Sequence, residues 1–296
     1  MGMAKLVVIG SGIVGQATGK GLIAKGHQVV FSDLNPEVLA KLRDEGHTVC
    51  PPELLGQEET DVLAFFLAIS TPTVDGRIEL GFLESAVANL GNVLKSHEHY
   101  SIVVIRSTVP PNTTRGSLVP LLEKYSGKKA GEDFGVCMNP EYLRESSNEQ
   151  DFKNPWLVMI GELDTRSGQA LEAIYGQCNC PIFHLPLEEA EMQKYIHNLW
   201  NACKISFFNE MRGLCDQIGK EAGIVMDADK IFWITMESAE ASWNLKYGIR
   251  NLGPFGGTCL PKDTNAFLAW AKDRFGKTLV LLKAVIAVND DLVRQR

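Results

Sequence analysis

Nowhere among the 296 residues do about 18 apolar side chains follow one another without a break, the run a helix needs to cross a bilayer. The first apolar run, Leu6 to Ile9, is too short for the core of a secretory signal and leads straight into a glycine turn. A cytoplasmic protein with no membrane partner is therefore expected. Basic clusters are lacking as well: 29 Lys and Arg stand against 36 Asp and Glu, for a formal net charge of −7. Nucleic-acid surfaces need concentrated positive charge, so no such partner is expected, although single cations remain for an anionic small molecule. Disulfide spacing is absent from the seven cysteines, at positions 50, 137, 178, 180, 203, 215 and 259. An odd count without a framework fits a reducing compartment. Metal-ligand spacing is missing too. Cys178-Asn179-Cys180 is tighter than a CxxC zinc pair and has no second pair in register, and His97 and His99 read as solvated loop residues ahead of a strand. No metal site is expected, and no internal repeat or low-complexity segment is present.

What is there is a 45% hydrophobic chain, long enough for one large domain or two medium ones; two are expected, 1–185 and 186–296. In the first, short apolar runs alternate with helical periodicity. Strands are expected at Lys5 to Ile9, Gln28 to Ser32, Val62 to Ile69, Ser101 to Ile105, Phe134 to Met138, Leu157 to Ile160 and Pro181 to His184. Helices are expected at Val14 to Ala24, Asn35-Pro36 to Arg43, Leu80 to Leu94, Gly116 to Tyr125 and Thr165 to Tyr175. That alternation specifies an α/β fold with a doubly wound, mostly parallel Rossmann-like sheet. From Glu188 to Cys215 there is no proline and one glycine, with a mainly apolar stripe at helical spacing (Tyr195, Leu199, Ala202, Ser206, Phe207, Met211, Leu214). This predicts a long helix, broken or bent near Gly219 to Gly223, with Cys203 and Cys215 in the core. Shorter helices follow at Asp227 to Met236, Asp263 to Phe275 and Leu279 to Arg294, making the second domain all-helical.

Gly10-Ser11-Gly12-Ile13-Val14-Gly15 follows the first strand and opens the first helix. In GxGxxG the first glycine permits the tight turn, the second lets the backbone approach a pyrophosphate, and the third lets helix and strand pack closely. Asp33 ends the second strand 18 residues after Gly15. An acidic group there accepts from the adenosine ribose hydroxyls and repels a 2′-phosphate, which favours NAD over NADP; the alternative is a turn carboxylate before Asn35-Pro36.

Lys194 and Asn198 are one turn apart on the long helix, so they share a face; an ammonium and an amide there can hold a substrate hydroxyl and stabilise an oxyanion. Gly253-Pro254-Phe255-Gly256-Gly257-Thr258-Cys259-Leu260-Pro261-Lys262-Asp263 carries a cysteine on a glycine-rich loop, suited to nucleophilic attack, with Asp263 on the first turn of the next helix. With these motifs, and with Ser70-Thr71-Pro72-Thr73, Arg106-Ser107-Thr108-Val109-Pro110, Asn139-Pro140-Glu141-Tyr142-Leu143-Arg144-Glu145 and Glu191, the sequence resembles the UDP-glucose/GDP-mannose dehydrogenase family over essentially its whole length.

The resemblance implies a four-electron oxidation of the C6 alcohol of a nucleotide-activated hexose to a carboxylate by two NAD in succession. It implies that Cys259 forms a thiohemiacetal and then a thioester, that Lys194 and Asn198 stabilise alkoxide and oxyanion, and that Asp263 acts on the water or the cysteine's environment. Glu141 assists hydrolysis and Thr108 positions the water. Ile13, Val14, Thr71, Pro72, Thr108 and Glu145 join the glycines and Asp33 around the cofactor, while Glu141, Tyr142, Leu143, Arg250 and Gly256 line the substrate. It further implies a homodimer through the long helix.

Two departures stand out. Family members usually continue into a further nucleotide-binding domain, whereas this sequence stops at Arg296. Where many members carry an arginine that reaches the partner's nucleotide site, the ungapped position is Trp243, leaving Lys246 and Arg250 as candidate cations. A β-hydroxyacid-type dehydrogenase making a single hydride transfer, and a non-catalytic NAD-binding remnant, are the alternatives; the former needs neither the Cys259 run nor the Asn139 to Glu145 segment.

Overall fold

A computed structural model of the chain describes residues 2–59, 61–143, 148–176, 178–249 and 253–295. Glu145 and Arg250 lie outside the described residues. The chain divides into two compact units, Met1–His197 and Asn198–Arg296.

The first unit is built on β1 (Lys5–Ile9), β2 (Gln28–Ser32), β3 (Thr48–Val49), β4 (Ala64–Leu67), the small hairpin β5 (Thr73–Val74) and β6 (Arg77–Ile78), β7 (Ile102–Ile105), β8 (Gly135–Met138), β9 (Val158–Glu162) and β10 (Ile182–Pro186). Eight of these form one sheet in the order β10-β9-β8-β7-β4-β1-β2-β3. Side chains alternate across it: Val7, Phe65, Val103 and Val136 face one core, and Leu6, Phe66, Val104 and Cys137 the other. Burial on both faces is why the strands read as continuous apolar runs. The first core is covered by α3 (Leu55–Glu58), α4 (Gly81–Ser96) and α5 (Val119–Ser126), the last preceded by a π-helical turn at Thr114–Leu118; the second by α1 (Ile13–Ala24), α2 (Pro36–Asp44), α6 (Asn148–Lys153) and α7 (Thr165–Tyr175). The sheet is parallel up to β8. There it reverses, Cys137 pairing with Glu162 and Met138 with Gly161 in antiparallel register, and β10 follows β9 in parallel.

His97 is not solvated. It is buried, its Nε2 lies 3.0 Å from the Glu59 carbonyl, and its ring meets Phe65 edge-on. Burial holds its pKa below the usual value. At the β10 edge, His184 sits between two carboxylates, Nδ1 2.7 Å from Glu162 Oε2 and Nε2 3.1 Å from Glu172 Oε2. Burial of the ring opposes its charge, but the two carboxylates outweigh it and raise its pKa. A raised folded-state pKa gives stability that is complete below about pH 6.5 and is lost as pH rises through the folded value. His184→Gln is therefore expected to destabilise the fold by less than about 1 kcal/mol, given the partial exposure, in acid and not in alkali. Urea midpoints of both proteins across that range measure it.

α8 (Leu187–Ala222) runs unbroken past Cys215 and breaks inside the expected Gly219 to Gly223 stretch. Gly223, at φ +67°, ends it, and Ile224 N donates to Gly219 O at 2.9 Å, the closing bond of a Schellman cap. Gly219 therefore serves the stop rather than a kink.

The second unit contains the rest of α8, α9 (Ala228–Ser238), α10 (Glu240–Trp243), α11 (Leu260–Phe275) and α12 (Val280–Arg294). Its core is small, Leu214, Ala271 and Leu279 with partly buried neighbours such as Leu268 and Phe275. Cys203, expected in the core, is exposed, because it lies on the outward side of α8 one turn after Leu199, which is 59% exposed.

Candidate active site

A cleft of about 630 Å³ lies in the first unit, a size that suits a small ligand. It opens at the carboxyl ends of β1, β2, β4 and β7, where the strand order turns back across β1, the usual ligand position in a doubly wound sheet. Gly10, Gly12, Ile13 and Val14 line it from the first turn, Asp33 from the end of β2, and Thr71, Thr108 and Glu141 from later loops.

The glycine turn fits a dinucleotide. Gly10 has φ +87°, and a Cβ there would stand 2.6 Å from the Ala68 carbonyl oxygen; one on Gly15 would stand 1.8 Å from the Gly10 carbonyl oxygen. Both approaches are backbone against backbone; the first sets the turn against the end of β4, and the second holds α1 tight on the end of β1. A Cβ on Gly12 would meet no protein atom within 4 Å, so that position is open for a phosphate to approach the main chain at the start of α1. Asp33 accepts from Ser11 N at 2.7 Å through Oδ2 and from Asn35 N at 2.8 Å through Oδ1. It thus braces the glycine turn and its own turn together at the wall of the cleft. Thr71 Oγ1 donates to the Thr108 carbonyl at 3.0 Å, joining the two loops, while Pro72 is exposed beside them and accepts from Glu79 N at 2.8 Å.

Behind the cleft, α8 begins close against the sheet, because Gly161 leaves room for Ala190: a Cβ on Gly161 would come within 2.6 Å of Ala190 Cβ. One turn on, Lys194 is 4% exposed. Its ammonium donates to the Glu141 main-chain carbonyl and stands 3.3 Å from Glu141 Oε1. Burial lowers the Lys194 pKa, and Glu141 works against that shift. Glu141 Oε2 accepts from Leu143 N at 2.6 Å, which fixes the carboxylate in the turn after β8. Tyr142 donates its hydroxyl to Gln193 Oε1, and its ring lies 5.0 Å from Lys194 Nζ and 4.8 Å from the His197 ring. It forms a wall of the Lys194 pocket, and burial pushes its hydroxyl up to about 12. Leu143 is half-buried against the second core. Glu191 is fully buried and accepts from Asn112 N at 2.5 Å and Thr114 N at 2.8 Å, tying α8 to the loop that follows Thr108. Burial raises its carboxyl above the ordinary range against the pull of those bonds.

In the second unit, Cys259 is the exposed N-cap residue of α11. Thr258 Oγ1 lies 3.8 Å from its Sγ, and Asp263, in the first turn, donates its main-chain N–H to the Cys259 carbonyl at 2.8 Å. The Asp263 carboxylate is exposed and meets Lys262 Nζ at 2.8 Å. The loop is anchored by a residue that sequence reasoning passed over. Asn289, buried on α12, accepts from Phe255 N at 2.7 Å and donates to Phe255 O at 3.2 Å; an amide directly after the apolar run Ala284 to Val288 was the available signal. Gly256 lies in this loop with open space around it. Asn198 is exposed on α8 at the start of this unit, as are Trp243 and Lys246 further on. Among the described residues no group of three His, Cys, Asp or Glu could hold a metal ion, and no helix is long and apolar enough to cross a membrane.

Residues 55–179 match the NAD-binding domain of the UDP-glucose/GDP-mannose dehydrogenase family, and residues 188–291 match its central domain. The chain belongs to this family. GDP-mannose 6-dehydrogenase of Pseudomonas putida is 34% identical to it over 98% of this chain and 69% of its own length. UDP-glucose 6-dehydrogenase AglM of Haloferax volcanii is 33% identical over 99% and 72%. The solved structure of GDP-mannose dehydrogenase from Pseudomonas aeruginosa, a ternary complex, superimposes with a TM-score of 0.86 at 31% identity, covering 98% of this chain and 69% of that one. For other curated relatives, such as that of Azotobacter vinelandii, the share of their own length is 63%, so the chain spans about two thirds of the proteins it resembles.

The cofactor is NAD, the ligand of the family's N-terminal domain. Residues 5–77, which hold the glycine turn and Asp33, also match a domain described as NADP oxidoreductase, coenzyme F420-dependent. A 2′-phosphate beside the turn would meet the charge of the Asp33 carboxylate, which favours NAD. Loss of a charged hydrogen-bond acceptor of this kind costs about 1.5–3 kcal/mol. Asp33→Ala is therefore expected to weaken NAD binding by roughly 10–100-fold and to leave NADP binding no weaker, as read by fluorescence titration with each dinucleotide.

Proposed function

We propose that this chain oxidises the C6 primary alcohol of a nucleotide-activated hexose to a carboxylate, passing through a thiohemiacetal and a thioester on Cys259. The reading is carried by Glu141, a carboxylate that lines the NAD cleft and is bonded to the buried ammonium of Lys194. Family membership and the Cys259 loop support it. NAD, held by the glycine turn and Asp33, supplies the hydride acceptor at each oxidation.

Lys194 and Asn198 donate to the substrate oxygen and stabilise it as alkoxide and oxyanion. Cys259 Sγ adds to the aldehyde carbon and gives up its proton, and the former carbonyl oxygen becomes the hydroxyl of the thiohemiacetal. Loss of hydride from that carbon, and of the hydroxyl proton, leaves the thioester. Water positioned by Thr108 and deprotonated through Glu141 then attacks the acyl carbon, and the thiolate departs. Overall, one alcohol and one water give one carboxylate, two hydrides and three protons. Asp263 acts on the thiol's surroundings from the first turn of α11. Tyr142, Leu143, Gly256 and Arg250 line the sugar, and Glu145 the nicotinamide. The proposed domain boundary is the β10–α8 junction near residue 185, and a reducing cytoplasm suits the free thiol.

Relatives named for GDP-mannose and for UDP-glucose support a GDP- or UDP-hexose as the substrate class. NADH formation with a panel of GDP-, UDP- and dTDP-hexoses tests this: turnover with one of them is expected, and turnover with none overturns the reading. The apolar side of α8 that carries Leu199 and Phe207, exposed in the single chain, fits a second copy. Light scattering is expected to return twice the chain mass, and Leu199→Glu to return the chain mass.

A further inference from the structure

Arg106 directly follows β7 and is 3% exposed, a buried cation that the mechanism above does not use. Its Nη1 donates to the Asn139 side-chain oxygen, to the Asn139 carbonyl at 3.3 Å and to Tyr175 Oη at 3.0 Å. Tyr175 in turn donates to Asn139 Oδ1 at 2.5 Å, and Asn139 Nδ2 donates to the Met159 carbonyl at 2.6 Å. Phe152 closes the group from one side, 5.7 Å from the guanidinium carbon and stacked on Tyr175 at 6.1 Å. Three elements that are distant in sequence, the end of β7, the turn after β8 and the end of α7, thus converge on one amide. Asn139 stands two residues before Glu141, and Pro140 between them stiffens the link.

We propose that Arg106, Asn139 and Tyr175 form a buried positioning network that sets Glu141 against Lys194. The network fixes the main chain of the 139–141 turn through the Asn139 carbonyl and side chain. Lys194 reads the result twice, through the Glu141 carbonyl and through its carboxylate. A buried polar network with most of its members paired specifies one arrangement, because each alternative leaves a desolvated donor or acceptor unpaired. Misplacement of a reacting group by about 1 Å costs on the order of 100-fold in rate. Arg106 also borders the cleft itself, so the network reaches from the turn to the cleft wall.

The experiment compares Tyr175→Phe with Ser101→Ala, which removes a buried hydroxyl bonded to Val62 O at 2.6 Å outside the network. Lysine labelled with 13C at Cε reports the Lys194 titration, assigned by its loss in Lys194→Arg. The charged or titratable groups facing Lys194 within the first unit are Glu141, Arg106, His197 and Tyr142. In Tyr175→Phe the Lys194 titration is expected to move to lower pH, because the Glu141 carboxylate that favours the ammonium is no longer held beside it. In Ser101→Ala it is expected to stay in place at a comparable loss of thermal stability. Arg106→Lys, which keeps the charge and loses the fork, is expected to behave as Tyr175→Phe does. With an active substrate, kcat falls by about 10-fold in Tyr175→Phe while KM changes by less than about 2-fold. An unchanged or raised Lys194 titration in Tyr175→Phe, or the same downward movement in Ser101→Ala, overturns the proposal. The rate readout rests on the proposed catalytic reading. The titration does not, so failure of one is told from failure of the other.

Discussion

Cys259→Ala is expected to lower acid formation by at least about 1,000-fold while leaving NAD affinity and folding as they are. The thiol is exposed at the N-cap of α11 and its side chain caps no backbone N–H, so its removal opens no cavity and strands no donor. Under the proposed mechanism it takes away the covalent step, and the aldehyde then has no route to a thioester. Chromatographic assay of the acid beside NAD fluorescence titration and a thermal melt separates the two effects. Acid formation at the parent rate removes Cys259 from the mechanism, and a collapse of the melt assigns it to packing instead.

Gly12→Ala and Gly15→Ala are expected to divide along the same line within the cofactor turn. At Gly12 the added Cβ meets no protein atom and the φ of −72° suits alanine, so the melting temperature should stay within about 2 °C, a change below ~1 kcal/mol. The methyl occupies the space through which the pyrophosphate must approach, and NAD affinity should fall by roughly 100-fold. At Gly15 the methyl would lie 1.8 Å from Gly10 O. Gly10 cannot retreat, because its N–H is bonded to Ser32 O at 2.8 Å and its own α-carbon is packed on Ala68 O. Separation of α1 from β1 should cost about 1–3 kcal/mol, and NAD affinity falls with it. Equal stability loss in both variants would mean that the turn does not hold the phosphates in this way.

Strand and helix positions were largely readable because burial on both sheet faces and helical periodicity leave strong marks, as at Gln28 to Ser32 and Thr165 to Tyr175. Strand direction left none. An apolar run alternates in the same way whichever way it points, so the reversal at β9 was invisible until Cys137 and Glu162 were seen to pair. The β5–β6 hairpin carries an Asp75-Gly76 turn with both residues at positive φ, a signal available in the sequence but attached to strands of two residues each. His97 reads as loop by its neighbours, yet tertiary packing on Phe65 buries it. The motif order around Glu141, Lys194 and Cys259 was legible. The Arg106–Asn139–Tyr175 network was not, since Tyr175 in sequence is only the last residue of a helix and its partner lies 69 positions away.

The most direct test of the account is the number of NADH formed per molecule of nucleotide sugar consumed by this chain at completion. Two, with the free acid as product, is the result that two hydride transfers through Cys259 require. One, with an aldehyde or ketone as product, would contradict the thioester mechanism and make this a single-step dehydrogenase.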